Sequence, residues 1–274
     1  MACDMEKVIM GILNCTPDSF YEGSRKQTAD DIAARADEIV SEGGSIIDVG
    51  AFSTRPGATE VSEEEEMRRL RTALEVIRHG HEGVTVSVDT FRPAVARMAV
   101  EEYGVQIIND VSEGGMGSIA DAGTCALSEG EIPLMFQEVA RLKVGYVLMS
   151  VQPDMERIIG NFRKEVSMLR SLGVSDIILD PGFGFGKTSI EGNYKVLSEL
   201  GRLREEYPEL PLMAALSRKR MIWQLLGCSA QEEDALRGTM LANLMALERG
   251  ATILRVHDVK AAADTIKICS SLSA

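Results

Sequence analysis

The segment Ala251-Thr-Ile-Leu-Arg-Val-His-Asp258 combines a strand-like apolar pattern with charged side chains in its second half. In an extended strand successive side chains point to opposite faces, so Leu254 and Val256 share one face while Arg255 and His257 share the other. The apolar face suits packing against helices, which directs Arg255 toward the inside of a closed sheet. Because a buried arginine is costly unless it meets a partner or a ligand, this strand predicts a polar site inside a barrel.

Seven earlier segments are likewise short, rich in Ile, Val and Leu, and followed by a helical pattern. They are Val8–Asn14, Ser45–Ala51, Thr85–Thr90, Gln106–Ser112, Gly145–Val151, Asp176–Gly182 and Leu210–Ser217. Eight strands alternating with helices predict an α/β fold, a (β/α)₈ TIM barrel formed by residues 1–274 as one domain. The Gly-rich segment Glu113–Glu131 lacks clear periodicity, so we interpret it as an irregular insertion after the fourth strand.

Helix starts are marked by capping-box patterns. Ser62-Glu-Glu-Glu65 and Thr188-Ser-Ile-Glu191 each place a hydroxyl residue three positions before a glutamate. The acidic run Glu63 to Glu66 then falls in a first helical turn, where it favours the helix dipole. A solvated helix face explains this run better than a metal site.

The carboxyl-terminal ends of the eight segments are unusually polar. In chain order they carry Asn14, Asp48, Asp89, Asn109, Asp110, Asp180, Ser217, Lys219, Arg255 and His257. These ends form one mouth of a (β/α)₈ barrel, where active sites lie. Buried carboxylates can accept hydrogen bonds from the N–H edge of a planar ring, and cations at the rim suit an anion. The set predicts a ligand with an N–H-rich ring and a pyrophosphate tail, and an internal ion-pair network that pins the barrel is the alternative.

Composition limits the class of partner. The formal net charge of −13 argues against general nucleic-acid binding, which needs a basic face. No segment approaches the roughly 18 apolar residues of a membrane span, and the N-terminus lacks a secretory pattern. The five cysteines are scattered and show no CxxC pair, which argues against a disulfide framework or a zinc site. We expect a cytoplasmic protein that binds small molecules, and neither nucleic acid nor a membrane.

Ordered motifs at the strand ends carry a family resemblance. They are Asn14-Cys-Thr-Pro-Asp-Ser-Phe20, Ser53-Thr-Arg-Pro-Gly-Ala58, Ser87-Val-Asp-Thr90, Ile107-Ile-Asn-Asp110, Leu179-Asp-Pro-Gly-Phe-Gly-Phe-Gly-Lys-Thr188, Leu216-Ser-Arg-Lys219 and Ile253-Leu-Arg-Val-His-Asp258. Together, in this order, they resemble the dihydropteroate synthase family over most of the chain. The resemblance implies a transferase of folate biosynthesis that joins 6-hydroxymethyl-7,8-dihydropterin pyrophosphate to 4-aminobenzoate. It also implies a homodimer, a Mg²⁺ cofactor and a sulfonamide target.

The same resemblance assigns roles residue by residue. The residues that match the pterin pocket are Asp89, Asn109, Met149, Asp180 and Lys219. Those that match the aminobenzoate side are Thr54, Arg55, Phe185 and Ser217. Arg255 and His257 match the pyrophosphate site, and Asn14 matches the residue that binds the Mg²⁺ held by the pyrophosphate.

Catalysis then involves Asp89, Lys219, Arg255 and His257 and needs no nucleophilic side chain. The aniline nitrogen of 4-aminobenzoate is itself the nucleophile. Asp48 lies at the edge of the expected site.

Two local patterns suggest other functions. The run from Gly182 to Thr188 looks like a nucleotide phosphate loop, but Pro181 stands where the Walker spacing requires glycine. His79 and His81 could suggest a metal site, but they precede a strand and are expected in a solvated turn at the opposite end of the barrel.

The fifth strand departs from the family pattern, since Ser150 stands where a histidine is expected and the following loop is short. This departure leaves open a diverged paralogue that binds pterin or an anion without turnover. A second alternative is a pterin-binding barrel that transfers a methyl group from a methylated folate to a corrinoid. The motifs Ser53–Ala58 and Leu216–Lys219 argue against it, because such a barrel needs no aminobenzoate site.

Overall fold

In the computed structural model, residues 5–15, 29–52, 61–114, 132–187 and 189–272 are described. The strands are β1 Val8–Asn14, β2 Ile46–Gly50, β3 Thr85–Asp89, β4 Ile107–Asp110, β5 Gly145–Met149, β6 Ile177–Asp180, β7 Met213–Ala214 and β8 Ile253–Val256. The helices are α1 Ala29–Ser41, α2 Glu63–Gly80, α3 Pro93–Tyr103, α4 Leu134–Leu142, α5 Met155–Ser171, α6 Ile190–Ser198, α7 Gly201–Glu206, α8 Arg220–Leu226, α9 Glu233–Glu248 and α10 Val259–Leu272.

The eight strands form one parallel sheet in the order β6-β5-β4-β3-β2-β1-β8-β7. The two end strands approach each other, because Leu179 N donates to Pro211 O at 2.9 Å and Leu179 bridges Leu212 in parallel. The sheet is therefore a nearly closed barrel with helices between its strands, which confirms the predicted (β/α)₈ architecture.

Alternation along the strands separates the inside of the barrel from its outer face. Six buried apolar side chains form the inner cluster: Met10, Ile46, Val147, Ile178, Met213 and Ile253. Two residues further along β2, β6 and β8 lie Asp48, Asp180 and Arg255, which therefore share the inner face. A larger apolar cluster packs the intervening strand residues against the helices. The interior thus changes from apolar to polar toward the carboxyl ends of the strands.

Several predicted boundaries differ from the structure. The seventh strand was expected over Leu210–Ser217 but is confined to Met213–Ala214. The residue before β7 is joined to the neighbouring chain segment by isolated backbone hydrogen bonds instead, such as the one that Thr252 N donates to Leu212 O at 2.8 Å. Ser62 caps α2 as predicted, while α6 is capped by Ser189, one residue later than the predicted pattern begins.

Two other expectations concern loops. The predicted insertion Glu113–Glu131 lies outside the described residues apart from its first two positions. His79 lies in the last turn of α2 with an exposed side chain, whereas His81 is packed with Nε2 at 2.9 Å from a carboxylate oxygen of Asp37. Both histidines precede β3, at the end of the barrel opposite its polar mouth.

Within the described ranges, no helix has the length and apolar content required to cross a bilayer.

Candidate active site

Arg255 is the centre of the polar mouth. Its Nη2 lies 2.6 Å from Asp89 Oδ2 and 2.7 Å from Asp48 Oδ2, and its Nε donates to the same Asp48 oxygen at 2.7 Å. Asn109 Nδ2 donates to Asp48 Oδ2 at 3.1 Å. Asp48 Oδ1 and the Ser87 hydroxyl, on neighbouring strands, are buried and have no hydrogen-bond partner among the described residues. The mouth therefore presents acceptor atoms around one guanidinium.

Burial dominates the electrostatics of this cluster. It raises the pKa of Asp89 to about 7, an effect that Arg255 opposes and Asp48 reinforces. It also lowers the pKa of the Lys219 ammonium to about 8, although Asp180 favours its charged form. The pKa of Asp180 is raised by burial as well. Protonation states in the mouth are thus poised to respond to a charged ligand.

The turn after β7 directs Lys219 into the mouth. Arg218 has a left-handed backbone, with φ of 52°, and its guanidinium makes bonds of 2.8 and 2.9 Å to the Asp258 carboxylate. Lys219 Nζ donates to Phe183 O and lies 4.9 Å from the centroid of the Phe185 ring. The Arg218–Asp258 pair thus holds a residue with an unfavourable backbone conformation directly before Lys219.

One wall of the mouth is apolar. Met149, at the end of β5, is only 1% exposed and packs with Val111, Val151 and Phe185. Asp180 ends the next strand, pairs in register with Met149 and is likewise buried. An aromatic ring could therefore contact Met149 on its face while hydrogen-bonding through its edge.

The rim carries the remaining predicted groups. Ser217 Oγ lies 3.0 Å from His257 Nδ1 and accepts a hydrogen bond from His257 N at 3.1 Å. Asn14 ends β1 beside Gly50, where an added Cβ would meet Asn14 Oδ1 and Asp89 Cβ, each at 3.5 Å. The amide oxygen of Asn14 is thus near the carboxylate cluster, on the side of β1.

The predicted site residues in β1 and β3–β8, and in the loops after them, therefore meet at one mouth. Thr54 and Arg55 lie outside the described residues. Asp48 was placed at the edge of the expected site, yet it is fully buried and contacts both Arg255 and Asn109. Its position on the inner face of β2 was the signal that could have moved it to the centre.

The glycine-rich loop after β6 packs against the loop after β5. Lys187 Nζ donates to Pro181 O at 2.5 Å and lies 3.4 Å from Ser150 O. Burial lowers the pKa of Lys187 to about 7. The lysine thus contacts two backbone carbonyls, one from the loop after β6 and one from the loop after β5, beside the apolar wall of the mouth. Ser150 itself is buried, with its hydroxyl accepting from Gln152 N at 3.2 Å.

Comparison with known proteins agrees with this geometry. The family model described as pterin binding enzyme matches residues 10–257. The dihydropteroate synthase of Escherichia coli K12 is 36% identical over 268 residues, covering 95% of this chain and 89% of that protein.

Solved structures give the same result. A Clostridium difficile dihydropteroate synthase, crystallised in the presence of pteroic acid, has a TM-score of 0.83 and 29% identity over 98% of both chains. The Xanthomonas albilineans enzyme with 4-aminobenzoic acid has a TM-score of 0.82 and 35% identity, covering 99% of this chain and 94% of that one. The Yersinia pestis enzyme in a sulfonamide complex has a TM-score of 0.82 at 32% identity, covering 98% and 94%. By sequence and by structure, the chain belongs to the pterin-binding enzyme family, among its dihydropteroate synthases.

Proposed function

We propose that this protein condenses 6-hydroxymethyl-7,8-dihydropterin pyrophosphate with 4-aminobenzoate, giving 7,8-dihydropteroate and pyrophosphate in folate biosynthesis. One observation carries the proposal. Buried acceptors and the Lys219 ammonium meet in the barrel mouth beside an apolar wall, with Arg255 at its centre. This arrangement suits a flat ring with an N–H-rich edge that bears a charged tail.

The pterin ring is proposed to bind in the deep part of the mouth. Asp180 and Asp89 would accept hydrogen bonds from the 2-amino and ring N–H groups, and Asn109 can both donate and accept. Met149 offers an apolar surface to one ring face. Lys219, whose ammonium lies over the Phe185 ring and whose charged form Asp180 favours, would donate to a ring acceptor. The methylene carbon of the substrate would then lie toward the rim.

The reaction exchanges one bond at that methylene carbon. Its C–O bond to pyrophosphate breaks with the electron pair going to oxygen, and a C–N bond forms to the aniline nitrogen, which then loses a proton. Arg255 and His257 would bind the departing phosphate oxygens and stabilise their charge. Because the aniline is the nucleophile, the protein needs to supply orientation and charge stabilisation only.

Asn14 is the proposed protein ligand of Mg²⁺. Among the residues whose positions are described, no three His, Cys, Asp or Glu side chains come together as a metal site. Mg²⁺ is often held by one or two protein oxygens plus substrate phosphates, which suits the Asn14 amide oxygen near the carboxylate cluster. When bound with the substrate, the ion would neutralise charge on the pyrophosphate.

The aminobenzoate is proposed to bind on the outer side of the mouth, against Phe185 and Ser217, with Thr54 and Arg55 contributing by resemblance. A sulfonamide would compete for the same space. The Yersinia pestis relative was solved as a complex with such a drug.

A homodimer and a cytoplasmic location are also proposed. The exposed apolar side chains Leu225, Leu226, Leu241, Met245 and Ile268 lie on α8, α9 and α10, and α9 packs against both neighbours. Exposed apolar side chains on three helices that pack together support a self-association interface. Three described cysteines, Cys15, Cys228 and Cys269, are free thiols, which suits a reducing compartment.

The assay that tests the function follows pyrophosphate release from the dihydropterin pyrophosphate. We expect release only when 4-aminobenzoate and Mg²⁺ are both present. Pyrophosphate release at the same rate with and without 4-aminobenzoate would indicate a simple hydrolase. Pterin binding without pyrophosphate release under any condition would favour the non-catalytic paralogue. The altered loop after β5 would then be the first segment to test as the cause.

A further inference from the structure

Arg35 lies on α1, outside the barrel, and reaches the ends of two adjacent strands. Its Nη2 donates to His257 O at 2.5 Å, and its Nε donates to Ile12 O at 3.2 Å. The third nitrogen, Nη1, pairs with Glu38 at 2.7 Å on the same helix. The side chain is only 16% exposed. A single planar guanidinium therefore joins α1 to β1 and β8.

The position of this contact along the sheet is informative. The ladder between β1 and β8 ends at the pair Gly11 and Val256. The next residue of β1 is Ile12 and the first residue after β8 is His257, and both carbonyls accept hydrogen bonds from Arg35. The guanidinium thus bridges β1 and β8 just beyond their last directly paired residues. Its rigid fork fixes the distance between the two strand ends.

These two strand ends carry one half of the proposed site. Asn14 lies two residues beyond Ile12, Arg255 lies on β8, and His257 directly follows that strand. All three are assigned to pyrophosphate and its Mg²⁺. The deep pterin acceptors lie instead on β3, β4 and β6, and the backbone contacts of Arg35 to Ile12 and His257 do not involve those strands.

We propose that Arg35 is a positioning residue for the pyrophosphate half of the site. This inference rests on the proposed function. Loss of the guanidinium removes a charge-assisted bond from each of two carbonyls, so β1 and β8 can separate at the mouth. Asn14 would then no longer stand at a fixed distance from Arg255 and His257. Affinity for pyrophosphate falls, while affinity for the pterin ring is retained.

The test is calorimetric binding to Arg35→Ala, Arg35→Lys and the control Glu38→Gln. The probes are inorganic pyrophosphate with Mg²⁺, and 6-hydroxymethylpterin, which lacks the diphosphate. We expect Arg35→Ala to bind pyrophosphate about tenfold more weakly or worse, with pterin affinity unchanged within about twofold. Arg35→Lys should recover part of the loss, because an ammonium can still donate to a carbonyl. Glu38→Gln removes the exposed ion pair alone and should bind both probes like the parent.

Three results separate the possible failures. Equal losses for pyrophosphate and pterin would assign Arg35 a general structural role and overturn the proposal. Unchanged pyrophosphate affinity in Arg35→Ala, with melting temperature as the folding check, would also overturn it. A parent protein that binds pterin but no pyrophosphate would instead contradict the proposed function itself.

Discussion

Arg255 Nη2 lies 2.6 Å from Asp89 Oδ2, and the same guanidinium holds the fully buried Asp48 at 2.7 Å. One cation therefore serves two carboxylates on β2 and β3. A pyrophosphate that binds Arg255 must share or displace these contacts. The site is thus held together by a charge network that is also its anion receptor.

Arg255→Ala should lower both anion affinity and stability. Removing one partner of a buried pair leaves uncompensated charge and costs about 3 kcal/mol of unfolding free energy. Arg255 lowers the pKa of Asp89, so without the guanidinium that pKa rises from about 7, and protonation of Asp89 relieves part of this cost as pH falls. Urea unfolding at pH 6 and pH 9 should show the smaller loss at pH 6. A loss independent of pH would place the energetic role of Arg255 elsewhere.

Asp180→Asn should weaken pterin binding by about 10- to 100-fold, because a charged acceptor for two donors becomes a neutral amide. The matched control is Asp176→Asn, an exposed position just before the same strand. Calorimetry with 6-hydroxymethylpterin should separate the two variants. Normal pterin affinity in Asp180→Asn would show that the pterin ring does not bind at this end of β6.

The pH–rate profile of the enzyme should be bell-shaped. Protonation of Asp89 below about 7 removes a hydrogen-bond acceptor from the mouth, and loss of the Lys219 proton above about 8 removes a cation. The rate at limiting pterin pyrophosphate should therefore fall on both sides, with apparent values that belong to the coupled cluster. In Lys219→Arg the alkaline fall should disappear, although the optimum rate is lower. An alkaline limb that persists in that variant would assign it to another group.

Gly186→Ala should destabilise the fold strongly. Gly186 has φ of 63°, and an added Cβ would lie 1.5 Å from Val151 O. Gly83, with φ of 98° and nothing within 4 Å of an added Cβ, is the matched control for backbone strain alone. We expect a loss of about 4 kcal/mol or more for Gly186→Ala and about 1 kcal/mol for Gly83→Ala by urea unfolding. Equal losses would show that the β5 and β6 loops do not meet as closely as described.

Local patterns in the sequence were sufficient for the barrel and for most of its mouth. Alternation along β8 correctly placed Arg255 inside, and the same rule placed Asp89 and Asp180. These assignments succeed because the side-chain period of a strand is local and the carboxyl ends of parallel strands converge.

Contacts between segments that are distant in the chain could not be predicted from the sequence. The central position of Asp48 depends on which strands become neighbours, and Arg35 reaches His257 across 222 positions of the chain. The short β7 follows from bonds that single backbone atoms make to Leu212. Such features arise from tertiary packing, which neither propensity nor period encodes.

The central claim is that this mouth catalyses bond formation between the pterin methylene carbon and the amine of 4-aminobenzoate. The most direct measurement counts both products, dihydropteroate by mass spectrometry and pyrophosphate by a coupled assay, in one reaction of the parent protein. The account predicts one dihydropteroate for each pyrophosphate, with both products falling together in Asp180→Asn. Pyrophosphate without dihydropteroate, or neither product despite bound pterin, would contradict it.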